Sequence, residues 1–181
     1  MNPLDAGPDR LPPIPPEHWT AAQRREAQAM IAGPRGAVLA PFIPLMRSPE
    51  LMGHVQRIGE YLRYRSAIGV RLTELAILVT AHEWQQPVEW ALHAPIAERE
   101  GIALANIAAI ARGERPAGFD GDEAAVYAIC TELHRQRQVS DATWANAIAR
   151  FGEPGVVDLI AINGYYALLA MVMNAARTPA G

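Results

Sequence analysis

The chain has 181 residues, a length typical of one domain of about 100–200 residues. Half of the residues are apolar and 19% are charged, an ordinary globular balance that can bury a core without a disulfide or metal to stabilise it. The net charge of −3 and the lack of any cluster of Lys and Arg argue against nucleic acid as a partner.

The sequence lacks the usual features of export. Its single cysteine, Cys130, cannot form an intramolecular disulfide, and residues 1–19 lack the basic and apolar regions of a secretory signal. The most apolar stretch, 156–173, has about the minimum length of a membrane span, but Asp158 and Asn163 lie inside it. A charge at the centre of a bilayer costs roughly 3 kcal/mol. We therefore expect a cytoplasmic protein without a membrane partner, in which this stretch is a core or oligomer helix.

Helical spacing of apolar residues dominates the chain, and strand-like alternation is almost absent. Caps, prolines and glycines divide the sequence into eight helical segments. The predicted helices run over about 17–32, 48–65, 72–84, 86–100, 104–111, 120–138, 140–152 and 154–176. The third and the last are apolar on most faces and should be central. The fold class predicted is therefore all-α, with residues 1–34 as a proline-rich arm and first helix, 35–176 as the main domain and 177–181 as a tail.

Two local signals sharpen these boundaries. Ser48 and Pro49 supply a serine cap and a proline at the first helical position, and the acid that follows them lies near the positive end of the helix dipole. In the fourth helix, the ring of Pro95 would clash with the carbonyl of Ala91. We therefore expect a kink or a break just after His93.

The candidate chemistry lies between residues 74 and 93. Glu89 and His93 are four apart, so their side chains meet on one face of a helix, and Gln86 joins this stripe at the helix start. Glu74 lies one helix earlier, and antiparallel packing would bring it to the stripe. A carboxylate fixes the tautomer of an imidazole and raises its basicity, which makes a proton relay. Spacing leaves two alternatives open: an exposed pair worth about 0.2–0.5 kcal/mol, and Glu74 as an acid in a first helical turn.

Other residues near this window are weaker candidates. His82 either borders a pocket or is a helix-terminal histidine favoured by the dipole. His82 and His93 lie on different predicted helices and form no recognised zinc motif, so we expect no metal. Four aromatic residues are typical of a pocket or subunit interface. They are Trp84, Trp90, Tyr165 and Tyr166. We take Gln86, His82 and Trp90 as candidate substrate-binding residues.

The same window resembles the carboxymuconolactone decarboxylase family, whose fold is shared with the alkylhydroperoxidase-D-like (AhpD-like) proteins. In the peroxidase branch, a glutamate is followed on the next helix by Cys-x-x-Cys-x-x-x-His. Glu74 and His93 match the glutamate and the histidine, whereas the cysteine positions fall on Gln86 and Glu89. The flanking Glu-Leu-Ala-Ile-Leu and Glu-Trp-x-x-His-x-Pro-Ile-Ala resemble the cysteine-free branch, and the similarity covers roughly residues 35–176.

This resemblance implies an AhpD-like bundle and a cofactor-free enzyme of aromatic-compound catabolism, with Glu74, Glu89 and His93 as catalytic residues. His93 would shuttle a proton, and Gln86 would hydrogen-bond a substrate oxygen. The expected reaction is that of a carbon–carbon lyase of the decarboxylase kind, or an isomerisation or ring opening, on a small unsaturated organic acid or lactone. Dithiol peroxidase chemistry is excluded, because Gln86 and Glu89 supply no thiol and Cys130 is expected to be a buried hydrophobic residue.

An alternative is a non-catalytic, ligand-binding member of the fold that kept the pocket and lost the chemistry. The resemblance also implies a homo-oligomer, a trimer or a hexamer, with sites near subunit contacts. Four residues of the last helix fit either a shared surface or a core. They are Tyr165, Tyr166, Met171 and Met173.

Overall fold

A computed structural model describes residues 7–180, and all regular structure within that range is helical. Residues 1–6 of the predicted arm and Gly181 of the predicted tail lie outside the described residues. The α-helices are α1 (Ala21–Ala32), α2 (Pro49–Arg65), α3 (Gly69–Glu83), α4 (Pro87–Arg99), α5 (Leu104–Ala111), α6 (Gly121–Gln136) and α7 (Asp141–Ala176). Gly152, with φ at 65°, breaks α7 into two parts, so the predicted all-α bundle of about eight helices is confirmed.

Capping residues set several helix boundaries. The helix α2 begins at Pro49 as predicted, although Ser48 forms no side-chain hydrogen bond with the described backbone at that cap. The helix α1 begins at Ala21, four residues later than predicted. Its start is set by a capping box, in which Thr20 and Gln23 each accept a hydrogen bond from the other's backbone N–H. Residues 16–18, at the predicted start, form a separate 3₁₀ turn.

The helix α4 continues through Pro95 to Arg99 without interruption. The predicted break just after His93 therefore does not occur. A proline in a helix removes the hydrogen bond to the carbonyl four residues earlier, here that of Ala91. Ala91 and Pro95 are both exposed, so water can hydrogen-bond the carbonyl that is left free, while buried Ala97 holds the next turn against the core.

The helix α3 is the centre of the bundle, as predicted. Every residue from Leu72 to Ala81 is buried, and α3 packs against α4, α6 and α7. Two short 3₁₀ turns, Ala40–Phe42 and Pro44–Arg47, pack beside α7 on the same core. Glu74 thus lies in the interior, where an ionised carboxylate needs cationic or hydrogen-bonding partners.

The helix α7 contains an 18-residue window with a mean hydropathy of 1.8, long and apolar enough by composition to cross a membrane. However, 61% of that window is buried inside the molecule, and α7 packs against α2, α3 and α6. This is the pattern of a core helix. Its inward side supplies Tyr165 and Tyr166 to the site described next.

Candidate active site

The turn Trp84–Gln86 brings α3 and α4 side by side. Gln85 adopts the left-handed conformation, with φ at 49°, and the N–H of Gln86 donates to the carbonyl of Ala81 at 2.8 Å. This six-to-one bond ends α3 in the manner of a Schellman motif. The side chain of Gln86 then accepts the N–H of Val88 at 2.8 Å and begins α4. Local hydrogen bonding thus reverses the chain and sets the register of the two helices.

This register brings the three predicted catalytic residues into one cluster, which we call the Glu–His–Glu cluster (Glu74, His93 and Glu89). Nδ1 of His93 lies 2.6 Å from Oε2 of Glu74, and its Nε2 lies 3.3 Å from Oε2 of Glu89. The exposed fractions of the three residues are 0%, 4% and 1% respectively. An exposed pair is therefore excluded. Glu74 is also not in the first turn of its helix, since α3 begins at Gly69.

The two ring nitrogens of His93 have different surroundings. Nδ1 donates to Glu74, whose second oxygen contacts Nε of Arg63 at 3.4 Å. Nε2 faces Glu89. Burial lowers the pKa of His93, but the hydrogen bond to Glu74, the interaction with Glu89 and the charges of both carboxylates outweigh burial and raise the pKa above its usual value. The imidazole therefore keeps its second proton to a higher pH than free histidine does.

Glu89 is the unsatisfied member of the Glu–His–Glu cluster. Both of its carboxylate oxygens are buried, and neither forms a hydrogen bond of ordinary geometry with any group in residues 7–180. The 3.3 Å contact with His93 is an ion pair rather than an aligned hydrogen bond. A buried polar group without a hydrogen bond is rare in folded proteins, and a charged one is costly. An open carboxylate beside an imidazole and a cavity is therefore a functional-site feature.

The cavity beside the cluster has a volume of about 90 Å³. Its walls come from α2, α4, α7 and the connector between α1 and α2. Apolar side chains, including Leu92 at 37% exposure, form one part of the lining. The polar part consists of Arg35, Arg63, Glu89, His93, Tyr165 and Tyr166. The cavity thus presents a base, an imidazole, two cations and two phenols to one small volume.

The two tyrosines predicted as pocket or interface aromatics are cavity residues. The ring of Tyr166 packs edge-on against His93, with centroids 5.2 Å apart and planes at 89°. Burial, followed by the charge of Glu89, raises the pKa of Tyr166 well above its usual value, and burial raises the pKa of Tyr165 as well. Both phenols therefore stay protonated. The hydroxyl of Tyr165 is buried and has no hydrogen-bond partner in the described part of the chain.

The structure does not bring the three predicted substrate-binding residues to this cavity, since its described lining includes none of Gln86, His82 and Trp90. Gln86 caps α4, and its Nε2 donates to Oδ1 of Asn174 at 2.7 Å. Trp90 follows Glu89 by one residue and so points about 100° away around the helix. His82 lies near the end of α3 beside Gly113. Their role in binding substrate stays a prediction.

Sequence reasoning missed the cationic part of the site. Arg63 lies near the end of α2, and its only sequence signal is that α2 and α3 are joined by a short link, which favours contact with Glu74. Arg35 lies in an irregular connector and has no sequence signal. By contrast, Cys130 was predicted to be buried, and it is: burial raises the pKa of its thiol to about 12. That thiol is inert at neutral pH.

Within residues 7–180, no group of three His, Cys, Asp or Glu side chains is placed to hold a metal ion. The chain matches no protein-family model, no curated protein sequence and no solved structure. The resemblance to the carboxymuconolactone decarboxylase family therefore stays a prediction. The chemistry of the site rests on the geometry of the Glu–His–Glu cluster and the cavity beside it.

Proposed function

We propose that this protein is a carboxymuconolactone decarboxylase-like enzyme, which uses acid–base chemistry without a cofactor on a small unsaturated organic acid or lactone. The reaction class is decarboxylation, isomerisation or ring opening. The proposal depends on one observation: Glu89 is 1% exposed, has no hydrogen bond within the described residues, and lines a cavity beside an imidazole that a second carboxylate supports.

The members of the cluster have different roles. Glu89 is the general base, because its oxygens are open and can take a proton from a substrate carbon next to a carbonyl. The Nε2–H of His93 is the general acid, and Glu74 stabilises the imidazolium through Nδ1. In an isomerisation, Glu89 removes a proton from one carbon and a proton returns at another, so no net proton is consumed.

Decarboxylation would need the acid His93 but no proton abstraction by Glu89. The carbon–carbon bond to the carboxylate breaks, carbon dioxide leaves, and the electron pair stays on the substrate as a dienolate. The imidazolium of His93 then gives its Nε2 proton to that carbon, and solvent returns a proton to the ring. The positive charges of Arg35 and Arg63 at the cavity stabilise the developing negative charge.

The alternative function is that of a non-catalytic, ligand-binding protein with the same fold. The small cavity favours it. A volume of about 90 Å³ corresponds to about three water molecules at roughly 30 Å³ each, which is less than the cavity of about 150 Å³ that holds benzene. A protein of this kind would bind a small molecule in the cavity and leave its carbon–hydrogen bonds intact.

Solvent deuterium exchange separates the two functions without knowledge of the natural product. The protein is incubated in deuterated water with a panel of small unsaturated acids and five-membered lactones, and carbon-bound deuterium is followed by proton NMR. We expect exchange above the buffer rate with the wild type and a loss of about 10²–10⁴-fold in His93→Gln. The matched control is His54→Gln, since His54 is exposed on α2. Binding without exchange across the panel would favour the alternative.

We also propose that the chain forms a homo-oligomer, a trimer or hexamer, in the cytoplasm. One face of α7 supports an assembly, because it exposes Val157, Leu168 and Met171 at 60%, 37% and 51%. Tyr166 and Met173, which also fitted a shared surface in the sequence, are buried within the chain. Light scattering tests the proposal. A monomer at micromolar concentration would contradict it, and Met171→Lys should dissociate an oligomer built on this face.

A further inference from the structure

We propose that Arg35 binds the carboxylate of a small monoanionic substrate in the cavity beside His93. This inference rests on the proposed function of the same cavity, and it narrows the substrate class from acids and lactones in general to monocarboxylates. It also assigns a specificity-determining residue to a position outside the predicted catalytic window.

The guanidinium of Arg35 is held in place but is not neutralised. Its Nη1 donates to the backbone carbonyl and to Oε1 of Gln56, both at 3.2 Å, and its central carbon lies 5.1 Å from the ring centroid of Phe42. Among residues 7–180, no carboxylate lies within ion-pair distance of Arg35. The donors on Nη2 and Nε form no hydrogen bond of ordinary geometry in that range, although Arg35 lies near enough to the Tyr165 hydroxyl to act against the burial that raises the pKa of that phenol. An oriented arginine with free donors suits a carboxylate, which it can bind with two parallel bonds.

Gly59 allows a second donor to share this wall of the cavity. A Cβ atom at position 59 would clash with Oη of Tyr165 and would lie 2.8 Å from Nη2 of Arg35. Both polar groups therefore pack directly against the backbone of α2, close to each other. The hydroxyl of Tyr165 has no partner in the described residues, although the residue is only 7% exposed. The guanidinium N–H groups of Arg35, beside the unpartnered hydroxyl of Tyr165, provide the donors that a carboxylate requires.

The charges around the cavity also favour an anion. With His93 protonated, three cations (Arg35, Arg63 and His93) face two carboxylates (Glu74 and Glu89). One positive charge is left unbalanced, and it is that of Arg35, since the other four groups contact one another. A single carboxylate on the ligand neutralises it, whereas a dianion leaves an excess negative charge in a buried volume.

The size of the cavity limits what can accompany the carboxylate. A volume of about 90 Å³ is smaller than the cavity of about 150 Å³ that holds benzene, so it encloses the carboxylate and the first carbons of a ligand, and the hydrocarbon end lies towards the partly exposed Leu92. Arg35, Glu89 and His93 line this one small space, so a carboxylate on Arg35 leaves the adjacent carbons beside the base and the acid. Leu92, partly exposed in the lining, offers an apolar contact to the hydrocarbon end. Short unsaturated monocarboxylates meet these conditions.

The probe pair is crotonate and crotonamide, which have nearly the same shape and differ in charge. Binding of each is measured by titration calorimetry at neutral pH and low salt. We expect the wild type to bind crotonate at least about tenfold more tightly than crotonamide. In Arg35→Met this preference should disappear, and in Arg35→Lys it should be partly kept. Arg115→Met is the control, because Arg115 is exposed in the loop between α5 and α6.

The outcomes separate this proposal from the enzyme proposal. Glu89→Gln should bind crotonate at least as tightly as the wild type, because it removes a negative charge from the cavity lining, while losing deuterium exchange. If the wild type prefers crotonate, and neither it nor any variant catalyses deuterium exchange, the result supports the Arg35 site and contradicts the proposed enzymatic function. Equal affinity for both probes in the wild type, or no binding of either at millimolar concentration, overturns the Arg35 site, even if exchange on neutral lactones persists. The wild-type comparison decides the matter if Arg35→Met does not fold.

Discussion

Two buried glutamates, Glu89 and Glu123, occupy the same position in two different helices. Each is the third residue of its helix, α4 or α6, and their exposed fractions are 1% and 4%. Glu123 accepts three hydrogen bonds: from Arg71 at 2.6 Å, from Asn106 at 3.3 Å and from the backbone N–H of Asp120 at 3.2 Å. Glu89 accepts none from the residues that the structure describes.

The difference between them arises in the residue that begins each helix. Glu123 completes a capping box with Asp120, whose backbone N–H is free to reach it. The equivalent N–H in α4 belongs to Gln86, and it is already donated to the carbonyl of Ala81 to end α3. The tight turn that brings Glu74 to His93 therefore also leaves Glu89 without its local donor.

This comparison distinguishes a structural carboxylate, Glu123, from the one that we propose to be functional, Glu89. Burial, residue type and helix position are the same, so none of them tells the two apart. What differs is whether the carboxylate oxygens are satisfied: Glu123 holds together α3, α5 and α6, whereas Glu89 faces a cavity with its oxygens open. Stabilising contacts satisfy polar groups, and active sites leave them available.

The largest expected effect is on catalysis. Glu89→Gln should lower the rate of deuterium exchange by about 10²–10⁴-fold, because an amide cannot accept the substrate proton. Glu123→Gln should leave the rate per folded molecule unchanged, since Glu123 is absent from the described lining of the cavity. Both rates are measured by NMR on protein whose folded fraction is checked by circular dichroism. An equal loss of rate in both variants would contradict the distinction.

The same two substitutions should have the opposite order of effects on stability. Glu123→Gln should lower the free energy of unfolding by about 2 kcal/mol, because Arg71 loses a charged partner. Glu89→Gln should leave stability unchanged or raise it, because the buried charge that it removes has no hydrogen bond, and the desolvation cost of that charge offsets its ion pair with His93. Urea titrations of both variants and the wild type measure this. A larger loss of stability in Glu89→Gln would show that its contact with His93 is structural.

Local signals explain why much of the fold was predictable. The helix α2 starts at Pro49 and α6 follows the cap at Asp120, because such boundaries depend on residues a few positions apart. The pairing of Glu74 with His93 was also predictable. The four-residue spacing of Glu89 and His93 places both on one helix face, and the short turn before them brings that face to the preceding helix. Pro95 misled the prediction because a proline's missing hydrogen bond can be replaced by water on an exposed face.

The rest of the site depends on contacts that sequence spacing does not encode. Arg35 reaches the cavity from an irregular connector, and its orientation is set by Gln56, 21 residues away. The open state of Glu89 depends on a backbone N–H being used by the preceding helix. Spacing places Gln86 on the helical stripe of His93, but it does not show that the Gln86 side chain caps α4.

A third prediction concerns how stability depends on pH through the Glu–His–Glu cluster. The pKa of His93 is raised in the folded state, so its contribution to stability is fully present below its unfolded pKa of about 6.5. That contribution is lost as pH rises through the raised folded value, because the folded state binds the proton more tightly than the unfolded state. The stability difference between wild type and His93→Gln should therefore shrink with rising pH.

Urea titrations across this range measure the difference. The comparison with His93→Gln is needed because His134 has the opposite behaviour: burial lowers its pKa, and its contribution is lost as pH falls. His134 is present in both proteins, so its effect cancels. A difference that grows with pH would mean that burial, and not the two carboxylates, controls the titration of His93.

The smallest expected effect extends the comparison from carboxylates to hydroxyls. Tyr165→Phe removes a buried hydroxyl without a partner in the described chain, so it should raise the free energy of unfolding by about 1 kcal/mol. It should also weaken the binding of crotonate, since the carboxylate loses the hydroxyl donor of Tyr165 and keeps only the guanidinium of Arg35. Urea titration and calorimetry on the same variant test both. If Tyr165→Phe lowers stability, the hydroxyl is satisfied in the folded protein, and the donors near Arg35 are not held open for a ligand.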